Sequence, residues 1–163
     1  MMETNELSIY ADDIKRVVSE WEPRLIALSE EAITRRENHQ HRTIKQLIGH
    51  LIDSASNNHQ RMVRLQYNEN LIFPDYQQDN DLWIAIQDYQ HADWPNLVTL
   101  WKSFNIQIAH LILSIDKTKL NSCWTNFEGA KVTLKDMVKG YPDHLNLHLN
   151  DIREILSAHQ VYI

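Results

Sequence analysis

Four stretches of the chain repeat apolar residues every three or four positions, which is the spacing of one buried face on an α-helix. We predict four helices from these stripes, over residues 7–34, 43–67, 94–115 and 134–158. Thr43 and Gln46 form a capping box at the start of the second helix, and Asp93 is placed to cap the third. The pattern therefore predicts an all-α fold built as a four-helix bundle.

Two of the predicted helices contain a proline beyond their first turn, where it removes a backbone donor and clashes with the preceding turn of the helix. Pro23 predicts a kink near residues 19–22 of the first helix. In the fourth helix, Gly140 and Pro142 predict a bend or a local opening just before His144.

The connections between the helices differ in length. Residues 68–92 form a long one, in which we expect a short helical piece over residues 82–89. A connection of this length can cross the bundle end to end, which would make the second and third helices parallel. The later connection, residues 116–132, predicts a small hairpin around Glu128 and Gly129. The aromatic residues of the long connection either line a substrate pocket or close one end of the bundle: Tyr67, Phe73, Tyr76, Trp83 and Tyr89.

Composition narrows the class of protein. The 163 residues predict a single domain, and the net charge of −6 argues against binding to nucleic acid or to an anionic membrane surface. No stretch is apolar enough to span a membrane, and the polar first residues lack the pattern of a secretory signal. Cys123 is the only cysteine, which excludes an internal disulfide and fits a cytoplasmic protein.

His144 and His148 lie four residues apart at the edge of the apolar stripe of the fourth predicted helix. Side chains at this spacing are neighbours on a helix, so two imidazoles can reach one metal ion. His50, in the second helix, is the best candidate for a third ligand. Nine histidines also allow such a pair by chance, so ordinary polar histidines are the alternative.

Asp53 and Asp151 each follow one of these histidines by three residues, about one helical turn away. Carboxylates at such positions orient ligating imidazoles, whereas the alternative for both is a surface or capping aspartate. The fourth helix lacks the glutamate of a His-Glu-x-x-His protease motif, and the chain has no Gly-x-Ser-x-Gly motif. The catalytic residues are therefore unassigned beyond these two candidates.

Two motifs of the chain together resemble a known family. The second helix opens with Thr-Ile-Lys-Gln-Leu-Ile-Gly-His-Leu-Ile-Asp over residues 43–53, and the fourth carries His-Leu-Asn-Leu-His over residues 144–148. In this order they resemble the DinB-like, or YfiT-like, metal-binding bundles, and the likeness covers nearly the whole chain. Where many members have an unbroken and more polar stretch, this chain has Gly-Tyr-Pro at residues 140–142.

The resemblance implies four helices in up-down-down-up order and one divalent metal ion bound by His50, His144 and His148. We expect that ion to be zinc or nickel, with iron and manganese as alternatives. Members of the family are often homodimers, so a homodimer is expected here as well.

The same resemblance gives the expected function. Members include thiol S-transferases, a mycothiol-dependent isomerase and proteins regarded as metal-dependent hydrolases. We expect a metal-dependent enzyme that either transfers a low-molecular-weight thiol or hydrolyses a small-molecule substrate. The alternative is a non-catalytic metal-binding or stress-response protein with the same bundle.

Overall fold

The computed structural model describes residues 3–71 and 78–158, which form six α-helices, three short strands and two short 3₁₀ turns. The helices are α1 Glu3–Ile26, α2 Glu30–Arg35, α3 Ile44–Arg64, α4 Asn80–Ile86, α5 Trp94–Leu113 and α6 Leu134–Ala158. The strands are β1 Asn70–Leu71, β2 Cys123–Thr125 and β3 Lys131–Thr133, and the 3₁₀ turns are Tyr89–His91 and Lys117–Lys119. The four long helices, α1, α3, α5 and α6, form the predicted bundle.

The first predicted helix is two helices rather than one. α1 continues through Pro23 and ends at Ile26, and α2 begins after Ser29. The Ser29 hydroxyl accepts a hydrogen bond from the backbone N–H of Ala32 at 3.3 Å, which caps a new helix at this point. The prediction of one helix over residues 7–34 is wrong. The apolar stripe continues across the break between α1 and α2 and therefore does not reveal it.

Contacts at the helix ends fix the direction of three long helices. β1 follows α3 and β2 follows α5, and these strands pair in parallel, with Asn70 opposite Cys123. The C-terminal ends of α3 and α5 therefore lie together, so the two helices are parallel. The indole N–H of Trp94, at the start of α5, donates to the carbonyl of Leu25, near the end of α1, at 2.9 Å. α1 therefore runs in the opposite direction.

α6 completes the bundle. β3 leads directly into α6 and pairs antiparallel with β2, which confirms the predicted hairpin around Gly129. α6 therefore starts where α3 and α5 end and runs against both. Near its start, Lys139 contacts Glu6 of α1 at 3.3 Å, so α6 runs in the same direction as α1. The order is up-down-down-up, as predicted.

α6 is a continuous α-helix from Leu134 to Ala158, with Pro142 inside it. The local opening predicted just before His144 is not found in α6. Tyr141 and Pro142 are both buried, so the proline packs into the bundle without breaking the helix. His144 and His148 consequently keep the one-turn spacing that the sequence suggests.

The core between the long helices consists mainly of buried apolar side chains. Trp21 of α1 and Trp101 of α5 are fully buried at its centre. Asn105 is also fully buried, and its side-chain oxygen accepts a hydrogen bond from the Tyr141 hydroxyl at 2.8 Å. Burial of apolar surface is the main force that stabilises such a bundle. Within the described ranges, no helix combines the length and the apolar character needed to cross a membrane.

Candidate metal centre

Three histidines meet where α3 and α6 pack against each other. His50 lies in the second turn of α3, and His144 and His148 lie one turn apart on α6. One ligand atom from each histidine lies within 4.8 Å of those of the other two. The ring centroid of His50 is 4.7 Å from that of His148 and 5.5 Å from that of His144. The antiparallel packing of the two helices thus brings together all three histidines predicted from sequence.

This spacing suits a single metal ion. A nitrogen ligand lies about 2.0–2.1 Å from zinc, so two nitrogens on one ion are at most about 4.2 Å apart. The ligand atoms of the three histidines lie within 4.8 Å of one another, which is close to that distance. The three residues could therefore hold one ion, with further coordination positions left for water or substrate.

Burial keeps two of these imidazoles in the form that binds metal. His50 is 5% exposed, and burial, with smaller contributions from His148 and His144, lowers the pKa of His50 to about 3. Burial, followed by the charge of His148, lowers the pKa of His144 to about 4. Both rings are therefore neutral at pH 7. A metal ion competes with protons for a histidine nitrogen, so a neutral ring is ready to bind.

Two of the histidines have a hydrogen-bonding neighbour at Nδ1, and Nε2 is the other ring nitrogen of each. His148 Nδ1 lies 3.1 Å from Asp151 Oδ2, and His144 Nδ1 lies 3.3 Å from the Ser54 hydroxyl. A carboxylate beside Nδ1 holds the proton there and leaves Nε2 as the ligand atom. His50 Nδ1 is buried and has no hydrogen-bond partner among the described residues. This set of donors fits a divalent metal ion.

The two candidate carboxylates are placed differently. Asp151 lies beside His148, as an orienting group would, and this role stays a prediction. Asp53 makes no hydrogen bond to a histidine among the described residues. Its Oδ1 accepts bonds from the Tyr89 hydroxyl at 2.7 Å and from Gln87 Nε2 at 2.8 Å. Burial raises the pKa of the Asp53 carboxyl, and the two hydrogen bonds oppose that rise.

A polar cleft of about 280 Å³ opens beside His50 and His144. One wall is α3, a second is the hairpin of β2 and β3, and a third is the start of α4. The described residues that line it, besides the two histidines, are Ser54, Asn57, Asn58, Arg61, Gln78, Asn80, Trp124, Asn126 and Phe127. A substrate in this cleft would lie directly against the histidine cluster.

A model of the DinB superfamily matches residues 13–152. The chain belongs to this superfamily. Its fold matches a solved structure described as YfiT from Bacillus subtilis, a probable metal-dependent hydrolase with an unusual four-helix bundle topology. That match has a TM-score of 0.86 and 16% sequence identity, and covers 97% of this chain and 90% of the other. A comparison with curated proteins gives no significant match.

The other histidines that the structure of this DinB-superfamily chain describes lie away from the cluster. His59 packs edge-on against Phe104, with ring centroids 6.1 Å apart, and His110 is exposed on α5. His39, His41 and His91 are also exposed, and His159 lies outside the described residues. His39, His41, His91 and His110 thus have the exposure expected of ordinary polar residues.

The sequence analysis assigned a role to few of the residues around the histidine cluster. In the long connection, Tyr89 is buried and contacts Asp53 instead of lining the cleft, while Tyr67 is exposed. Phe73 and Tyr76 lie outside the described residues. The residues of α3 that line the cleft do carry a signal, because polar side chains recur along one face of the helix at positions 50, 54, 57, 58 and 61.

Proposed function

We propose that this protein is a metal-dependent enzyme that binds one divalent ion through His50, His144 and His148 and acts on a small molecule. The observation that carries the proposal is the meeting of three imidazoles, two of which line a polar cleft. Three histidine ligands leave coordination positions open, which is typical of catalytic rather than structural sites. The description of YfiT as a probable metal-dependent hydrolase supports the same reaction class.

The choice of metal follows from the ligands. Imidazole nitrogen suits zinc, nickel and iron, whereas manganese prefers oxygen ligands. Zinc or nickel is therefore our first choice, with iron next and manganese last. When bound here, such an ion would supply Lewis-acid chemistry, lowering the pKa of a bound water to about 7 or activating a thiolate.

The chain's own residues would position the ligands and the substrate. Asp151 would hold the proton of His148 on Nδ1, and Ser54 lies against His144 Nδ1. Asn57 and Asn58 present amide groups along the cleft, where they can orient the polar part of a substrate. Both hydrolysis of a small molecule and transfer of a low-molecular-weight thiol are compatible with this arrangement.

Elemental analysis of the purified protein tests the metal site. After incubation with zinc, nickel, iron or manganese and removal of excess, the wild-type chain should retain about one ion per chain. His50→Ala, His144→Ala and His148→Ala should each retain far less, while circular dichroism shows unchanged helicity, since the apolar core does not need metal to form. His110→Ala, at an exposed position on α5, is the matched control. Equal metal content in wild type and His50→Ala would refute the assignment of His50.

A second candidate function is metal binding without catalysis. The described residues that line the cleft include no carboxylate that could act as a general base. A screen of low-molecular-weight thiols with electrophiles, and of small esters and amides, separates the two candidates. Turnover that needs metal and is lost in His144→Ala supports the enzyme. Stoichiometric metal binding with no turnover favours the second candidate.

Assembly as a homodimer is part of the proposal and comes from the family resemblance. The long helices carry several exposed apolar side chains that a second copy could cover, among them Ile106 and Leu113 of α5. No residue from a second copy is needed to complete the histidine cluster, because all three histidines come from one chain.

A further inference from the structure

The loop between α2 and α3, residues 36–43, contacts α6 at the carboxylate of Asp151. Asp151 is 8% exposed, and its Oδ2 atom lies 3.1 Å from Nδ1 of His148. The side-chain nitrogen of Asn38, in the loop, donates a hydrogen bond to the same Oδ2 atom at 3.5 Å. Asn38 and Asp151 are 113 positions apart in the chain, so only the tertiary structure brings them together. Asn38 thus contacts the residue that contacts a candidate metal ligand.

The loop itself determines which end of the Asn38 side chain faces Asp151. Asn38 Oδ1 accepts hydrogen bonds from the backbone N–H groups of Gln40 and Arg42, each at 3.0 Å. An amide oxygen can accept these bonds and an amide nitrogen cannot, so the side chain cannot be turned end for end. Its Nδ2 atom, which only donates, therefore faces the carboxylate.

Further hydrogen bonds hold the loop in this shape. The backbone N–H of Asn38 donates to the carbonyl of Arg42, and the N–H of His41 donates to the carbonyl of Asn38, both at 3.0 Å. The Arg42 guanidinium donates from Nε and Nη2 to Oδ1 of Asp81, at 3.0 and 2.8 Å, which attaches the loop to α4. The Asn38 amide is held before it meets Asp151, so the contact between them orders little additional chain.

A buried carboxylate needs hydrogen-bond donors, because burial removes the water that would otherwise bind it. Within the described ranges, the Asp151 carboxylate contacts two side-chain donors, His148 Nδ1 and Asn38 Nδ2, both at Oδ2. One donor belongs to the same helix and the other to the loop, so the two hold Oδ2 from different elements. The final torsion of an aspartate side chain has broad preferences, so loss of the loop donor would let the carboxylate rotate away from His148.

We propose that Asn38 is a positioning residue for the candidate metal centre, which keeps the Asp151 carboxylate aimed at Nδ1 of His148 and so leaves Nε2 for the ion. This inference rests on the proposed metal site, because His148 must be a ligand for its orientation to matter. Removing a group that orients a ligand commonly weakens metal binding. The Asn38 contact is longer than the usual range of about 2.7–3.2 Å, so we expect its loss to weaken zinc binding about threefold to fivefold.

Asn38→Ser tests the inference while keeping the loop closed. A serine hydroxyl can accept the backbone bonds that Asn38 Oδ1 accepts, but it is too short to reach Asp151 and adds no charge. Competition with a chromophoric chelator should show zinc binding about threefold to fivefold weaker than in the wild type. Gln40→Ala, an exposed change in the same loop, is the matched control and should bind zinc as the wild type does. Equal zinc affinity in Asn38→Ser and wild type overturns the inference.

A double-mutant cycle assigns the effect to Asp151. Asp151→Ala removes the carboxylate that Asn38 is proposed to hold. In that background, Asn38→Ser should weaken zinc binding by less than about twofold, because substitutions within one hydrogen-bond network are not additive. The same fold loss of affinity in both backgrounds would show that Asn38 affects the ion by another route, and it overturns the inference.

The imidazole nitrogens of His148 give a second readout, which a change in loop stability alone would not move. ¹⁵N NMR of the zinc-free protein distinguishes a ring that carries its proton on Nδ1 from one that carries it on Nε2. The Nδ1–H form should dominate in the wild type and have a clearly smaller share in Asn38→Ser. An unchanged ratio of the two forms overturns the inference. If Asn38→Ser does not fold, Asn38→Thr, which also carries a hydroxyl, takes its place with the same expected results.

The zinc titrations separate failure of this inference from failure of the proposed function. If the wild type does not bind about one zinc ion per chain, the metal site itself is refuted, and the inference with it. If the wild type binds zinc and Asn38→Ser binds it equally tightly, the metal site stands and the role of Asn38 is refuted.

Discussion

The carboxylate of Asp151 is the side chain that most directly controls a candidate metal ligand. It lies 3.1 Å from Nδ1 of His148, and both side chains are buried in α6. This contact favours the tautomer in which Nδ1 carries the proton, so that Nε2 faces the other two histidines. Hydrogen-bond partners of this kind commonly change metal affinity when they are removed.

We expect Asp151→Asn to weaken zinc binding by roughly tenfold. The amide oxygen can still accept a hydrogen bond from the Nδ1–H of His148, but it carries no negative charge. Competition with a chromophoric chelator measures the affinity. Asp143→Asn, an exposed change on the same helix beside His144, is the control and should bind zinc as the wild type does. Unchanged affinity in Asp151→Asn would show that the aspartate has only a structural role.

At the scale of elements, the segment after α4 packs against α3 at Gly49 and Asp53. The ring of Tyr89 lies directly over Gly49, where a Cβ atom would overlap it, and the Tyr89 hydroxyl binds Asp53. The residue before His50 must therefore be small, although glycine is unfavourable in the middle of a helix. Gly49 thus allows the 3₁₀ turn at Tyr89–His91 to cover α3 next to the histidine cluster.

We expect Gly49→Ala to destabilise the fold by about 1–3 kcal/mol, since the added methyl group must displace the Tyr89 ring. Gly140→Ala in α6 is the matched control, because a Cβ added at Gly140 would meet no atom of another described element within 4 Å. That change should stabilise the protein by about 0.5–1 kcal/mol through the better helix propensity of alanine. Urea unfolding measures both free energies. A stabilising effect of the same size in both variants would mean that the Tyr89 ring is not packed on Gly49.

For the whole molecule, the lowered histidine pKa values link stability to pH. In the unfolded chain His50 and His144 take up protons near pH 6.5, whereas in the metal-free fold they do so only at about 3 and 4. Between these limits the unfolded state binds more protons, so the free energy of unfolding falls as the pH falls. The raised pKa of Asp53 has the opposite sign, since its folded carboxyl takes up a proton at a higher pH than the unfolded one, and it offsets part of the loss.

We expect the metal-free protein to be less stable at pH 5 than at pH 7, by up to about 1.4 kcal/mol per pH unit for each of the two histidines. Urea unfolding in the presence of a chelator at the two pH values measures the loss. The double variant His50→Ala, His144→Ala should lose clearly less stability over the same interval. The same pH dependence in wild type and double variant would contradict the assigned cause.

Local features account for the parts of the fold that the sequence predicts correctly. The apolar stripes define the four long helices, because a helix buries one face at a fixed interval. The capping box of Thr43 and Gln46 appears as predicted, with both of its hydrogen bonds formed. The break at Ser29 was not predicted, because a hydroxyl can cap a helix only where the chain has already turned, and the stripe alone does not show such a turn.

The sequence by itself determined the four long helices and the one-turn spacing of His144 and His148, since both depend on neighbours one turn apart. The up-down-down-up order came from the family resemblance. The family motif also singled out His50. Only the tertiary structure decided what surrounds them: that Asp151 contacts a histidine while Asp53 contacts Tyr89, and that Arg61 and Trp124 meet across the cleft. Asp53 and Asp151 have the same spacing from a histidine, yet their partners differ. The reason is physical: helical spacing fixes neighbours within a helix, whereas contacts between elements depend on how the packed helices and the hairpin are placed in space.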